Sequence, residues 1–187
     1  DLEPRRGCRD LSRRGAAGME IAVIDSGINP WHSHVQGWVE GIGLCVGRSG
    51  RIVCSRDYRD EIGHGTAIAG LIREKAPEAR LYAIKIFQDK LEAPTGVLLA
   101  SLRRALRRGS KIIHLSLGTE RKKDRRPLER LCQEAYRRRI VIVASARTPQ
   151  DGVVPASLRT VIGVCASPNG PRDTLGYHPG MPVEFSA

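Results

Sequence analysis

Short uninterrupted apolar runs that alternate with helical stretches constrain this chain more than any other feature. Ile21-Ala22-Val23-Ile24 ends at Asp25-Ser26-Gly27, and residues 81–87, 111–117, 140–144 and 161–165 repeat the pattern. Runs of this length bounded by turn residues suit strands buried on both faces. Between them lie segments with helical spacing of small or apolar residues: 66–73, 97–108 (with Pro94 and Thr95 near its start) and 127–138. Residues 39–46 and 51–53, joined by Gly47-Arg48-Ser49-Gly50, read as a small hairpin. Val183 and Phe185 begin a last apolar alternation. Strands alternating with helices predict an α/β fold: three layers, a mostly parallel sheet and helices on both faces. Residues 1–18 are polar and Arg-rich and read as an N-terminal arm, leaving 19–187 as one domain.

In such a sheet the crevice lies at the carboxyl ends of the strands. Asp25, Ser116 to Thr119 and Ala144 to Thr148 all fall just after a predicted strand, so a site is expected where they converge. Taken singly, each has a plainer reading. Asp25 suits a turn, His64 in Gly63-His64-Gly65-Thr66 suits a helix start, and Ser116-Leu117-Gly118 suits a strand end with a glycine turn. Taken together, a carboxylate and an imidazole placed at a strand end and a helix start suit acid–base chemistry. The carboxylate can fix the tautomer of the ring. The helix N-terminus favours neutral imidazole, the resting form of a general base.

Three segments carry a family resemblance. Ile21-Ala22-Val23-Ile24-Asp25-Ser26-Gly27-Ile28 resembles the catalytic-Asp motif of the subtilisin-like serine peptidases. Gly63-His64-Gly65-Thr66-Ala67-Ile68-Ala69-Gly70 resembles their catalytic-His motif, and Ile113-His114-Leu115-Ser116-Leu117-Gly118 their substrate-binding strand. The resemblance runs from about Ile21 onward and implies a peptidase using an Asp-His-Ser mechanism. Asp25 would orient His64, His64 would be the general base, and Ser116, Leu117 and Gly118 would pair with an extended peptide or protein substrate.

Two departures stand out. Residues 140–146 resemble the strand that leads to the family's oxyanion-hole Asn, yet Thr148 stands at that position, with a shorter donor. Losing a donor at such a site costs on the order of 3–4 kcal/mol of transition-state stabilisation. The second departure is the nucleophile. No Gly-Thr-Ser-Met-Ala-like motif occurs, and Ser116, Ser145, Ser157, Ser167 and Ser186 lack its setting. The domain is therefore expected to be incomplete at its C-terminal side, with the Ser beyond Ala187, and these 187 residues alone are expected to be inactive. A pseudo-peptidase that binds extended peptides without cutting them is the alternative.

Net charge is +11, most of the positive part from Arg. Arg103, Arg104, Arg107 and Arg108 fall at helical spacing, and Arg137 to Arg139 end another amphipathic stretch, which fits solvated helix faces. Aromatic residues do not interleave with these runs as stacking on single strands requires, so nucleic acid is the lesser reading and a polyanion-binding module the second alternative. No run approaches the ~20 apolar residues of a membrane span, and no membrane partner is expected. The five cysteines, Cys8, Cys45, Cys54, Cys132 and Cys165, are odd in number and lack zinc-ligand spacing. Cys45 and Cys54 would face each other only if the hairpin register allowed it; free thiols and a reducing, cytoplasmic setting are the expectation, with secretion left open. No cofactor is called for. Calcium is implied only by the resemblance, and no acidic loop has its clustered oxygen ligands.

Overall fold

The computed structural model describes residues 18–167, 170–171 and 173–187. The expected arm at 1–18 lies outside the described residues except for Gly18, as does Cys8. Nine strands form one sheet: β1 (Glu20–Asp25), β2 (Val39–Val46), β3 (Ile52–Ser55), β4 (Arg80–Lys85), β5 (Ile112–Leu115), β6 (Val141–Ala146), β7 (Ile162–Cys165), β8 (Gly176–Tyr177) and β9 (Phe185–Ser186). Their order is β3-β2-β4-β1-β5-β6-β7-β9-β8. All neighbours are parallel except the two outer pairs, β2–β3 and β9–β8. Three helices are described: α1 (His64–Lys75), α2 (Thr95–Arg108) and α3 (Lys122–Arg137).

Strand β1 shows why the apolar runs are unbroken. Its side chains alternate between two cores, as a strand covered on both faces requires. Ile21 and Val23 join Leu81, Ala83 and Ala69 in the core beneath α1. Ala22 and Ile24 join Leu102, Leu106, Leu128 and Leu131 in the larger core beneath α2 and α3. The expected three-layer α/β architecture is therefore present, with one helix on one face and two on the other. The hairpin is present too, but Cys54 pairs with Leu44 and Cys45 with Val53, so the two thiols lie on opposite faces and both are free.

The expected helix over 127–138 instead starts at Lys122 and carries Pro127 inside it. Lys122 to Arg126 hold no apolar residue, so the hydrophobic phase that marks a helix begins only at Leu128. The side chain of Asp124 in this first turn accepts a hydrogen bond from the Thr95 hydroxyl at 2.8 Å, tying the start of α3 to the start of α2. The other boundaries differ from the sequence reading by up to two residues, because strand ladders end where partners end and not where apolarity ends. The pair β8–β9 rests on two residues from each strand, too few for a periodic signal.

Leu102 is fully buried where α2 meets the sheet. Leu102→Ala should destabilise the fold by about 2–5 kcal/mol, through lost transfer energy plus a residual cavity. Urea unfolding monitored by circular dichroism measures it. Leu71→Ala, at a side chain 48% exposed on α1, should cost far less.

Candidate active site

The parallel strands point their carboxyl ends at one edge of the sheet, and three of them deliver candidate residues there. Asp25 is the last residue of β1 and is completely buried. His64 opens α1, which packs across the face of β1. Its Nδ1 lies 2.8 Å from Asp25 Oδ1, and its side chain remains 39% exposed. A carboxylate only accepts, so Nδ1 is the donor and, in the neutral ring, Nε2 is the acceptor. That is the tautomer a base needs.

The pair is held by a residue that the sequence reading passed over. Ser26 donates its backbone N–H (2.7 Å) and its hydroxyl (3.1 Å) to the same Asp25 Oδ1. The Ser26 Oγ in turn accepts the N–H of Gly65 at 2.9 Å. One hydroxyl thus ties the strand end to the first turn of the helix that carries His64. Asp25 Oδ2 is buried and has no hydrogen-bond partner among the described residues. This contact demands glycine on both sides. A Cβ on Gly65 would run into the Gly27 carbonyl, and one on Gly27, whose φ is +105°, would run into the Tyr58 carbonyl.

Asp60 supplies the cap that α1 otherwise lacks, since Gly63 at the cap position has no side chain. Its Oδ1 accepts the N–H groups of Ile62 (3.0 Å) and Gly63 (2.8 Å). Its Oδ2 accepts the N–H (2.8 Å) and hydroxyl (2.6 Å) of Thr66. Burial pushes the carboxyl up, but the hydrogen bonds from Thr66 and Gly63 outweigh it and hold Asp60 below its ordinary value of 3.8. Asp60 stands three residues ahead of the cap position Gly63, so the usual sequence sign of a cap, a polar residue directly before the helix, is absent.

Two further groups flank the pair. His114 in β5 stands opposite Val23 in the ladder, on the same sheet face as Asp25. Burial pushes its imidazole below 6.5, partly opposed by Asp25, and its Nδ1 lies 3.4 Å from Ser116 Oγ. Lys85 is paired in register with Asp25 and nearly buried, with Nζ 3.1 Å from Glu61 and 3.8 Å from Asp57.

Ser116 follows Leu115, which pairs with Ile24, so it stands level with Asp25 at the same edge. Leu117 packs against the larger core, and the backbone of Thr119 pairs with Val154 through bonds of 2.8 and 3.0 Å. These contacts anchor the segment carrying Ser116, Leu117 and Gly118 beside the crevice. Thr148 lies four residues beyond Ala144, the β6 partner of Leu115, in an exposed loop at the same edge. That loop is organised by Asp151, whose Oδ2 accepts the N–H of Arg147 (2.6 Å) and of Thr148 (3.2 Å). The Arg147 N–H is the main reason its carboxyl sits below the ordinary value. The Arg147 guanidinium pairs with Glu120, bridging the loops after β5 and β6. Among the described residues, no group of three or more His, Cys, Asp or Glu is placed to hold a metal ion.

The carboxyl edge of this three-layer α/β sheet therefore carries a buried Asp hydrogen-bonded to a partly exposed His. A family profile described as the subtilase family matches residues 16–177, and the chain belongs to that family of serine proteases. It is 29% identical over 201 residues to the minor extracellular protease Epr of Bacillus subtilis, covering all of this chain and 29% of Epr. Subtilisin-like protease 5 of Trichophyton tonsurans is 28% identical over 185 residues, covering 89% of this chain and 43% of that protein. The chain thus spans less than half the length of these relatives. Among solved structures, the epidermin leader peptide processing serine protease EpiP of Staphylococcus aureus superposes with a TM-score of 0.65 at 19% identity, covering 79% of this chain and 46% of that one. A lanthipeptide protease gives a TM-score of 0.64 at 20% identity, covering 78% of this chain and 47% of that one. At these identities the two structures show a shared fold.

Asp60→Asn keeps one acceptor oxygen but loses the charge and the second acceptor, so it should lower stability at neutral pH, by less than the ~0.5–2 kcal/mol that loss of a whole cap costs. The folded-state value is depressed, so the stabilisation is present above 3.8 and is lost as pH falls through the lower, folded value. Thermal unfolding of wild type and variant should therefore converge as pH drops below 3.8.

Proposed function

We propose that this chain is the base-bearing part of a serine endopeptidase, in which Asp25 orients His64 and His64 takes the proton of a seryl hydroxyl. The observation that carries this reading is the 2.8 Å contact from Asp25 Oδ1 to His64 Nδ1, which leaves Nε2 free to accept. The hydroxyl is supplied by a segment other than these 187 residues, none of which has the Gly-x-Ser-x-Ala setting. In the reaction, Nε2 removes the proton as the oxygen attacks the scissile carbonyl. The same proton then passes to the leaving amine, and water repeats the sequence on the acyl-enzyme. An extended peptide lies along Ser116, Leu117 and Gly118, adding itself to the sheet edge through backbone hydrogen bonds. No cofactor enters these steps.

The test uses a fluorophosphonate probe on the 187-residue chain and on a form extended through the downstream coding sequence. The extended form should be labelled, His64→Ala should abolish labelling, and the shorter chain should stay unlabelled. Labelling of the shorter chain at Ser116, Ser145 or Ser186 would move the nucleophile and overturn this account. Peptide binding without labelling of either form would establish a binding pseudo-peptidase instead.

Thr148 is proposed as the side-chain donor to the oxyanion, a weaker one than Asn because it is shorter. In the extended form, Thr148→Asn should raise kcat and Thr148→Ala should lower it, with KM little changed in both. Unchanged kinetics in both variants would leave the oxyanion to backbone N–H groups alone.

A further inference from the structure

The positive charge of this protein is not spread over its surface. Segments 95–109 and 121–139, which contain α2 and α3, hold thirteen Lys and Arg against three acids, Asp124, Glu129 and Glu134. The remaining residues hold eighteen against seventeen, so nearly all of the +11 resides in one helical layer. Within it, Arg104 bonds the Tyr82 hydroxyl, Arg108 pairs with Glu20 and Glu40, and Arg138 pairs with Glu134. The other ten make no ion pair with any described residue, and all ten are exposed.

Their arrangement is regular. On α3 the buried residues are Leu128, Leu131, Cys132 and Ala135. Lys122, Arg126, Arg130 and Arg137 fall on the opposite side of the helix at steps of four, four and seven, a stripe about 22 Å long at 1.5 Å per residue. Arg103 and Arg107 add an exposed i,i+4 pair on α2, the helix packed beside it. A stripe this dense repels itself unless an anion meets it, and Arg guanidinium is suited to phosphate through paired N–H donors.

We propose that the outer face of α2 and α3 docks on a bilayer surface rich in anionic phospholipid. Arg103, Arg107, Lys122, Arg126 and Arg130 spread over the outside of two adjacent helices packed on a sheet, while Arg125, Arg137 and Arg139 border a cavity that also takes in Arg159. The helices keep their apolar sides in the core, so the attachment is electrostatic and reversible, without insertion of a helix. Tyr136, 65% exposed beside Arg137, is placed to sit at headgroup level. Tyr136 is the single aromatic side chain of α2 and α3, too few for the successive base stacking that single strands need, which disfavours single-stranded nucleic acid as the partner. The Asp25–His64 pair lies on the α1 side of the sheet, so docking through α2 and α3 would hold the crevice away from lipid.

The experiment is sedimentation of the 187-residue chain with vesicles of phosphatidylcholine alone or with about a third phosphatidylglycerol. Binding should require the anionic lipid and fall steeply as salt is raised, since surface attraction is screened within about 10 Å at 0.1 M. The triple variant Arg126→Gln, Arg130→Gln, Arg137→Gln should bind roughly a hundredfold more weakly, given the usual attraction per basic residue near such a surface. The triple variant Arg48→Gln, Arg51→Gln, Arg56→Gln, which removes as much charge from the hairpin region, should bind nearly as wild type. Circular dichroism establishes that both variants are folded. Equal binding to neutral vesicles, or equal weakening by the two triple variants, would overturn the proposal. So would duplex DNA displacing the protein from vesicles at matched phosphate concentration, which would assign the stripe to nucleic acid. None of these readouts depends on peptide hydrolysis, so the surface stands or falls apart from the peptidase reading.

Discussion

Burial of β1 on both faces is the constraint on which the rest depends. A strand with Ile21 and Val23 in one core and Ala22 and Ile24 in another cannot slip by a residue without exchanging its two sets of side chains. That register fixes the depth at which Asp25 emerges. The carboxylate emerges inside the protein and not at its surface, where water would compete for it. Three donor groups converge on one of its oxygens, and they come from the next residue and from the helix across the crevice. The core thus sets where the acid stands, and the acid sets how the imidazole turns.

The helix end is built with equal economy. Placing the N-terminus of α1 against a buried carboxylate needs backbone groups in contact, which is why glycine stands at 27 and 65. It also needs the free N–H groups of the first turn to be satisfied, which Asp60 does from outside the crevice and Ser26 from within it. Lys85, almost buried and paired with Glu61 and Asp57, brings an ammonium group to the end of the neighbouring strand. The site is therefore a small network of fixed charges and dipoles, held by elements whose positions the hydrophobic cores dictate.

Much of this was legible in the sequence, and the reason is local. Asp25 and His64 each sit at a junction between an apolar run and a turn, where periodicity stops and chemistry begins. Ser26 was harder to see because it accepts a backbone N–H from a residue brought near only by folding, and Asp60 because it caps α1 from three residues ahead of the cap position. His114 was read as part of a strand because alternation hides a polar residue placed among apolar ones. The start of α3 was missed for a related reason: a turn made only of charged residues has no apolar phase to read. The layering of charge had both halves visible as separate Arg clusters. Their union on one side of the sheet appears only when the two helices are known to pack together.

Strand order also has a consequence in time. The two partners of β1 are β4 and β5, and Ile21 pairs with Leu81 on one side and Ile112 on the other. During synthesis β1 therefore keeps at least one open edge until the chain has grown by 91 residues, from 21 to 112. At about 5–20 residues per second, that is roughly 5–18 s during which an apolar strand has an open edge. Newly made chains pass through a vulnerable interval set by topology alone, and it lengthens with every residue inserted between β4 and β5.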